Sequence, residues 1–412
     1  MKNDTKTTIY ADIRFRYVIG ANVASSIGLG ITMIAIPWLL VSSANGHQVY
    51  GYMTLALTIF NFIVTPLIGG IIDRFSRKKL LIAGEIAGLT IMLFFSLLGF
   101  MEHSYEVWHY IVISVIGSLY YTIFYPTMFA FSQECFAKQH YKSLNGAMEV
   151  QGQIASMIAG GIASILIMKI DLQWILLINS LTYLIAAALF MKIKFVEQVE
   201  VSKQDIQKKN IIVGFTYLWK FPKMFYFLLF STFPFIGVMV TNYLFPIYLQ
   251  QVLHASAWVY GAESMIYSLG AVCAGLLIPI ISRKVGNEKT MIFGVVCYTI
   301  AISLITFVDI PIFLCLMFFL ALGNAGSRVA RQTFMMEHIP NEYMGRVDSV
   351  IRLIGLFIRI ILLALFTQLV AFQAVILCFA LLSVILCLTS IIVYSLWRKG
   401  LFLKKEDLQI AQ

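Results

Sequence analysis

Apolar runs of about 20 residues, each long enough to cross roughly 30 Å of hydrocarbon as an α-helix, recur from Phe15 to Leu396. A water-soluble globule of 412 residues cannot hide that much apolar surface: hydrophobic residues make up 60% of the chain and charged residues 12%, and mean hydropathy is +0.86. Lipid is therefore the implied solvent. Because lipid offers the backbone no hydrogen bonds, the spanning segments must be helices, and an all-α integral membrane bundle is expected. The expected spans are 14–43, 49–72, 80–100, 108–134, 144–168, 173–192, 221–250, 258–281, 289–308, 312–336, 345–370 and 373–397, twelve in all. The first run lacks a small-residue cleavage site after a short core, so it reads as a retained helix and not a signal peptide.

The formal charge of +10 could suit nucleic acid, but its distribution excludes that partner. The cations collect in alternate loops: Lys2, Lys6, Arg14 and Arg16; Arg74, Arg77, Lys78 and Lys79; Lys138 and Lys142; the stretch from Lys192 to Lys223; Arg283, Lys284 and Lys289; Arg346; and Arg398, Lys399, Lys404 and Lys405. The loops between them contain Lys169 as their only cation. This is the positive-inside pattern, and it places both termini in the cytoplasm with an even number of spans.

One long polar stretch, 197–210, rich in Lys and Gln, divides the runs six and six. The expected organisation is a six-helix bundle over 1–195, a cytoplasmic linker over 196–220 and a second six-helix bundle with a short cytoplasmic tail over 221–412. An internal repeat supports the division. Val49-Tyr50-Gly51 returns as Val259-Tyr260-Gly261 at an offset of 210 residues, and the same ungapped offset sets Lys79 on Lys289, Ile82 on Ile292 and Gly84 on Gly294. Parallel repeats of this kind place a substrate site near the midplane between them.

Between the second and third spans the chain reads Gly69-Gly70-Ile71-Ile72-Asp73-Arg74-Phe75-Ser76-Arg77-Lys78-Lys79. The glycines permit close helix approach, while Asp73 and the cations suit a charge network at the cytoplasmic face. This loop resembles the signature of the major facilitator superfamily, and the resemblance covers nearly the whole chain. It implies twelve helices in two pseudo-symmetric halves, with Gly69, Gly70, Asp73, Arg74, Arg77 and Lys78 latching the outward-facing state. The equivalent loop in the second half departs from the pattern, with Arg283 where Asp73 stands in the first. Asn145-Gly146 and Gly345-Arg346-Val347 resemble the macrolide-efflux and enterobactin-exporter branch of that superfamily.

Ionisable side chains at membrane depth cost several kcal/mol and so point to function. Arg352 and Arg359, seven apart, share a face of the eleventh span, and Asp348 stands four residues before Arg352. Arg328 and Arg331 sit where they can snorkel to cytoplasmic headgroups. Glu149, one turn into the fifth span, is the first candidate for proton coupling. Glu85, in the third span, is the second, with pairing to the nearby basic loop as its alternative role. The resemblance implies a cavity lined by the first, fourth, seventh and tenth spans, whose polar and aromatic members are Asn22, Ser26, Tyr120, Tyr121, Tyr125, Asn242, Tyr243 and Asn324, joined by Arg352 and Arg359. Pro126, Pro234 and Pro246 can kink the fourth and seventh spans or merely pack.

There is no phosphate-binding glycine loop followed by Lys-Ser or Lys-Thr, no metal spacing among the six histidines, and no paired spacing among the six cysteines. An enzyme, a metal site and a cofactor are not expected, and the proton gradient is the implied energy source. The resemblance implies a monomer in a bacterial cytoplasmic membrane, working on a small molecule with protons and lipid as its other partners. It further implies export by proton antiport. The deep arginines favour an anionic metabolite such as a carboxylate siderophore. Drug or macrolide efflux is the first alternative, and a nutrient-anion importer or lipid flippase the second.

Overall fold

The computed structural model describes residues 9–43, 45–137, 140–194 and 211–399. Every regular element among them is helical. The first six long helices are α1 (Ile13–Val41), α2 (Gly46–Arg74), α3 (Arg77–Phe100), α4 (Val107–Cys135), α5 (Tyr141–Lys169) and α6 (Leu172–Lys192). Then follow α7 (Ile211–Lys220), α8 (Pro222–Phe230), α9 (Phe233–Gln251), α10 (Ala257–Val285), α11 (Asn287–Leu304), α12 (Ile310–His338), α13 (Asn341–Ala371) and α14 (Val375–Arg398). Among the described residues twelve spans are long and apolar enough to cross a membrane, with α8 and α9 together, Pro222–Gln251, forming the seventh. The protein is a multi-pass membrane protein.

Two features differ from the sequence reading. Residues 211–220, expected within a linker, form a helix whose Phe215 and Trp219 rings stack on an exposed face, while Tyr217 stacks on Tyr343 of α13. The rest of that linker, 196–210, lies outside the described residues. The seventh span is broken at Ser231 and Thr232, because Pro234 has no N–H to continue the backbone ladder and instead sits in the first turn of α9. Pro126 and Pro246 lie inside uninterrupted helices.

The chain divides into two compact units, residues 1–201 with 249–268, and residues 202–248 with 269–412. In the first, α1 packs against α5 and α6, and α3 packs against α6. A buried amide joins two of these helices: Asn179 Nδ2 donates to Thr32 Oγ1 at 2.8 Å. In the second, α11 packs on α12, with two glycines where their backbones meet. A Cβ on Gly294 would stand 2.8 Å from the Gly323 carbonyl oxygen, and one on Gly323 would stand 2.7 Å from that of Gly294. Small residues at such crossings let backbones meet where lipid supplies no hydrophobic drive.

Candidate transport site

Besides the Asn179–Thr32 pair, three networks of polar side chains among the described residues of the first unit join different helices. In the first, Asn22 of α1 donates through Nδ2 to Gln151 Oε1 of α5 at 2.5 Å and accepts from Ser26 at 3.1 Å. Asn22 is buried, so in this state it joins two helices. In the second, Asn61 of α2 donates to Ser118 Oγ of α4 at 2.6 Å and accepts from Thr122 at 3.3 Å.

The third centres on Glu85 of α3, whose side chain is wholly buried. The Tyr120 hydroxyl of α4 donates to its Oε1 at 2.7 Å, Ser25 of α1 lies beside the carboxyl, and Oε2 has no hydrogen-bond partner. Tyr120 is held in turn by stacking on Phe124, with centroids 4.8 Å apart, and by the Tyr183 ring of α6 at 5.2 Å. Glu85 thus lies among four helices, and it does not reach the basic loop that the sequence offered it as a partner. Glu149 is placed differently: it is exposed near the start of α5 and accepts from Gln153 one turn on, at 3.3 Å. The two sequence candidates for proton coupling therefore occupy opposite environments.

Aromatic surface is available next to the Glu85 network. Tyr121 and Tyr125 of α4 stack almost parallel, with centroids 5.5 Å apart and an angle of 6°, and Tyr125 is exposed.

In the second unit Arg359 is half-buried on α13, its Nη1 3.7 Å from Met239 Sδ of α9. Arg352 does not join it. Its side chain is exposed and its Nε donates to Asp348 Oδ2 at 2.6 Å, one turn away. Tyr243 and Asn324 are buried and Asn242 is exposed. Arg331 is not free to snorkel as expected, because its Nη1 donates to the Ser231 carbonyl at the break in the seventh span, at 2.9 Å.

Among the signature-loop residues, the surroundings of Gly69, Gly70 and Asp73 lie outside what is described, as do those of Asn145 and Gly146. Arg74 is exposed. Arg77, the first residue of α3, forms an ion pair with Glu134 near the end of α4, and Lys78 Nζ caps the end of α6 through the Ile193 carbonyl at 2.7 Å. The repeat extends to this detail. At the offset of 210, Arg77 falls on Asn287, the first residue of α11, and Asn287 Nδ2 donates to Glu337 Oε2 near the end of α12 at 2.8 Å. Both halves tie the same pair of helix ends, one with an ion pair and the other with an amide.

Sequence reasoning missed Glu134, the Asn61 network and Glu263, a carboxyl 7% exposed on α10. Glu263 was legible through the repeat. The offset of 210 sets it on Met53, equally buried, just as it sets Glu85 on the buried Val295.

The family model described as Major Facilitator Superfamily matches residues 18–362. No curated protein matches the chain in sequence. Among solved structures, the nucleoside transporter NupG aligns with a TM-score of 0.73 at 12% identity, covering 94% of this chain and 99% of its own. A bacterial homologue of the human lysosomal transporter Spinster, inward-facing and unoccupied, aligns at 0.67 and 11% identity, covering 94% and 98%. A bacterial homologue of the iron transporter ferroportin, inward-facing, aligns at 0.63 and 14% identity, covering 93% and 100%. At such identities the likeness is one of fold.

Proposed function

Because the chain belongs to the major facilitator superfamily and is a transporter, not an enzyme, we propose that it exports an organic anion across a bacterial cytoplasmic membrane in exchange for protons. The reading is carried by Glu85. A carboxyl removed from water among four helices, with one oxygen held by Tyr120 and the other without a hydrogen bond, is a place where a proton can be kept in one state of a transport cycle and released in another. Coupling is assigned to Glu85 over Glu149, since an exposed carboxylate near a helix start cannot be screened from the face it already meets.

The substrate half of the reading is supported by Arg359, a half-buried guanidinium toward the middle of α13, whose planar fork suits carboxylate or catecholate oxygens. Export, as opposed to import, rests on the sequence resemblance to the exporter branch. A second reading, efflux of an amphipathic drug such as a macrolide, is favoured by the stacked Tyr121 and Tyr125 rings, the second of which is exposed.

The test uses the full chain in proteoliposomes with a trapped pH dye, challenged first with di- and tricarboxylates and catecholates and then with macrolides. Proton movement driven by the anions is expected in the wild type. Glu85→Gln should abolish it while leaving substrate exchange intact, and Arg359→Ala should abolish anion but not macrolide transport. Full proton-coupled transport by Glu85→Gln would remove Glu85 from the cycle, and response to macrolides alone would establish the second reading.

A further inference from the structure

The charged side chains set deep in the second unit do not balance. Of those at least seven residues from both ends of a described helix, four are arginines, Arg328 and Arg331 of α12 and Arg352 and Arg359 of α13, and one is a carboxylate, Asp348. A charge at membrane depth is costly unless an opposite charge or water meets it. One carboxylate cannot serve four guanidinium groups, so the set carries an excess of positive charge that the protein's own acid does not neutralise.

These groups are arranged by level. Only Ile339 and Pro340 separate α12 from α13, so the two helices leave the same end of the unit. Arg331 lies seven residues before the end of α12 and Asp348 seven after the start of α13, while Arg328 and Arg352 lie ten and eleven residues from the same ends. The outer rung thus pairs a cation with an acid, and the inner rung sets two cations at one depth. Asp348, Arg328 and Arg352 are all within electrostatic reach of Arg331. Arg359 stands seven residues beyond Arg352 on the same face of α13, about 10 Å along the axis at the helical rise.

The hydrogen bonds separate a fixed cation from an exchangeable one. Arg331 is fixed, its Nη1 bound to the Ser231 carbonyl at 2.9 Å. Arg352 is held to Asp348 through Nε alone, at 2.6 Å, and the two side chains are 73% and 43% exposed. The Nη groups of its fork, the part of a guanidinium that takes a carboxylate or phosphate in two parallel bonds, make no hydrogen bond among the described residues. An exposed pair one turn apart on a helix contributes little, so a ligand oxyanion can take Arg352 at small cost. Asp348 then keeps Arg331, the cation at its own level.

We propose that Arg328 and Arg352 bind one oxyanion group, a carboxylate or a phosphate, of a polyvalent anion whose second such group meets Arg359, with Asp348 as the internal counter-ion that the ligand displaces from Arg352. The inference rests on the reading of the substrate as an organic anion and narrows it to one that carries two oxyanion groups about 10 Å apart, the rise between Arg352 and Arg359. A compact anion fills one end of the site and leaves the other cation unmet. Asp348 sets the selectivity, because only a ligand that brings a charge of its own can replace it.

The test measures calorimetric binding of linear dicarboxylates to the full-length protein in phosphatidylcholine nanodiscs. Decanedioate, long enough to reach both ends, should bind about tenfold or more tighter than butanedioate, the gain of one further charge-assisted contact. Arg328→Gln and Arg352→Gln should each remove that advantage. Asp348→Asn, which takes away the competing carboxylate, should bind decanedioate more tightly than the wild type, a gain that misfolding cannot imitate. Equal affinity for the two dicarboxylates, or decanedioate binding that Arg359→Ala abolishes and Arg328→Gln and Arg352→Gln leave intact, would overturn this inference while sparing the anion reading. Absence of binding by any dicarboxylate would remove the anion reading itself. Native mass spectrometry from phosphatidylglycerol nanodiscs separates the two sources of oxyanion. Equal lipid retention by the wild type and Arg352→Gln is expected, whereas retention lost only in Arg352→Gln would give the site to a lipid headgroup and overturn the soluble ligand.

Discussion

Removing the Tyr120 hydroxyl should expose how much the Glu85 network contributes to stability. Tyr120→Phe deletes the 2.7 Å bond to Glu85 Oε1 but preserves the ring that stacks on Phe124 and meets Tyr183. A side-chain hydrogen bond between membrane helices contributes about 0.6 kcal/mol on average and up to about 1.7. Here the loss is larger than the average bond, because Oε2 already has no partner and the substitution strips the other oxygen as well. An orphaned buried polar group costs about 1–3 kcal/mol, so a loss of about 1–3 kcal/mol is expected. In a Glu85→Met background the same substitution should cost close to nothing, as the hydroxyl has already lost its acceptor, giving a coupling of about 1–3 kcal/mol in the double-mutant cycle. The assay is reversible unfolding in mixed micelles titrated with dodecyl sulfate. A coupling below about 0.3 kcal/mol, within the additivity of independent sites, would refute the bond and with it the argument that Tyr120 holds the Glu85 carboxyl.

Two further outcomes follow from charges at the starts of α1 and α3. Arg77→Ala should cost about 1 kcal/mol in the same assay, nearer an exposed pair than a buried one because both side chains keep more than a quarter of their surface (28% and 29%), and the reversed pair Arg77→Glu with Glu134→Arg should regain most of it. Asp12 caps α1, its Oδ1 accepting from the Arg14 N–H at 2.8 Å and its carboxylate hydrogen-bonded to the Arg14 guanidinium, which holds the acid below its ordinary value. Asp12→Ala should therefore cost about 1 kcal/mol near neutrality. A group whose folded-state value is depressed stabilises above its unfolded value, about 3.9, and loses that contribution as pH falls through the folded value. The gap between wild type and Asp12→Ala should then close at acid pH, as unfolding titrations across that range would show.

The spans, their number and their all-helical character were legible because hydrocarbon imposes one rule on every residue it touches: the run length appears directly in the sequence. An offset of 210 residues was legible at Val49-Tyr50-Gly51 and Val259-Tyr260-Gly261, and Tyr50 and Tyr260 are buried to the same extent. The break in the seventh span was half legible, since Pro234 marked a weak place without showing which carbonyl would be released. Partners of ionisable groups were not legible when they came from distant helices. Arg352 with Asp348 could be read at i and i+4, whereas Glu85 with Tyr120 and Arg77 with Glu134 join residues 35 and 57 positions apart. Helix α7 escaped notice because ten residues beside a polar linker carry too little pattern to stand out, even with Tyr217 anchored on Tyr343.

The break at Ser231 and Thr232 bears on how force passes along the seventh span. In a continuous helix the Ser231 carbonyl would be tied to the backbone one turn ahead; here it is given to Arg331 of α12. The short helix α8 is thereby moored to a neighbour while α9 retains its own ladder, with a joint between them where the backbone is no longer stiff. A tilt of α9 can be absorbed at that joint without dragging α8 along. The seventh span is mechanically two rods, and Arg331 is the bolt that fixes the shorter one to its frame.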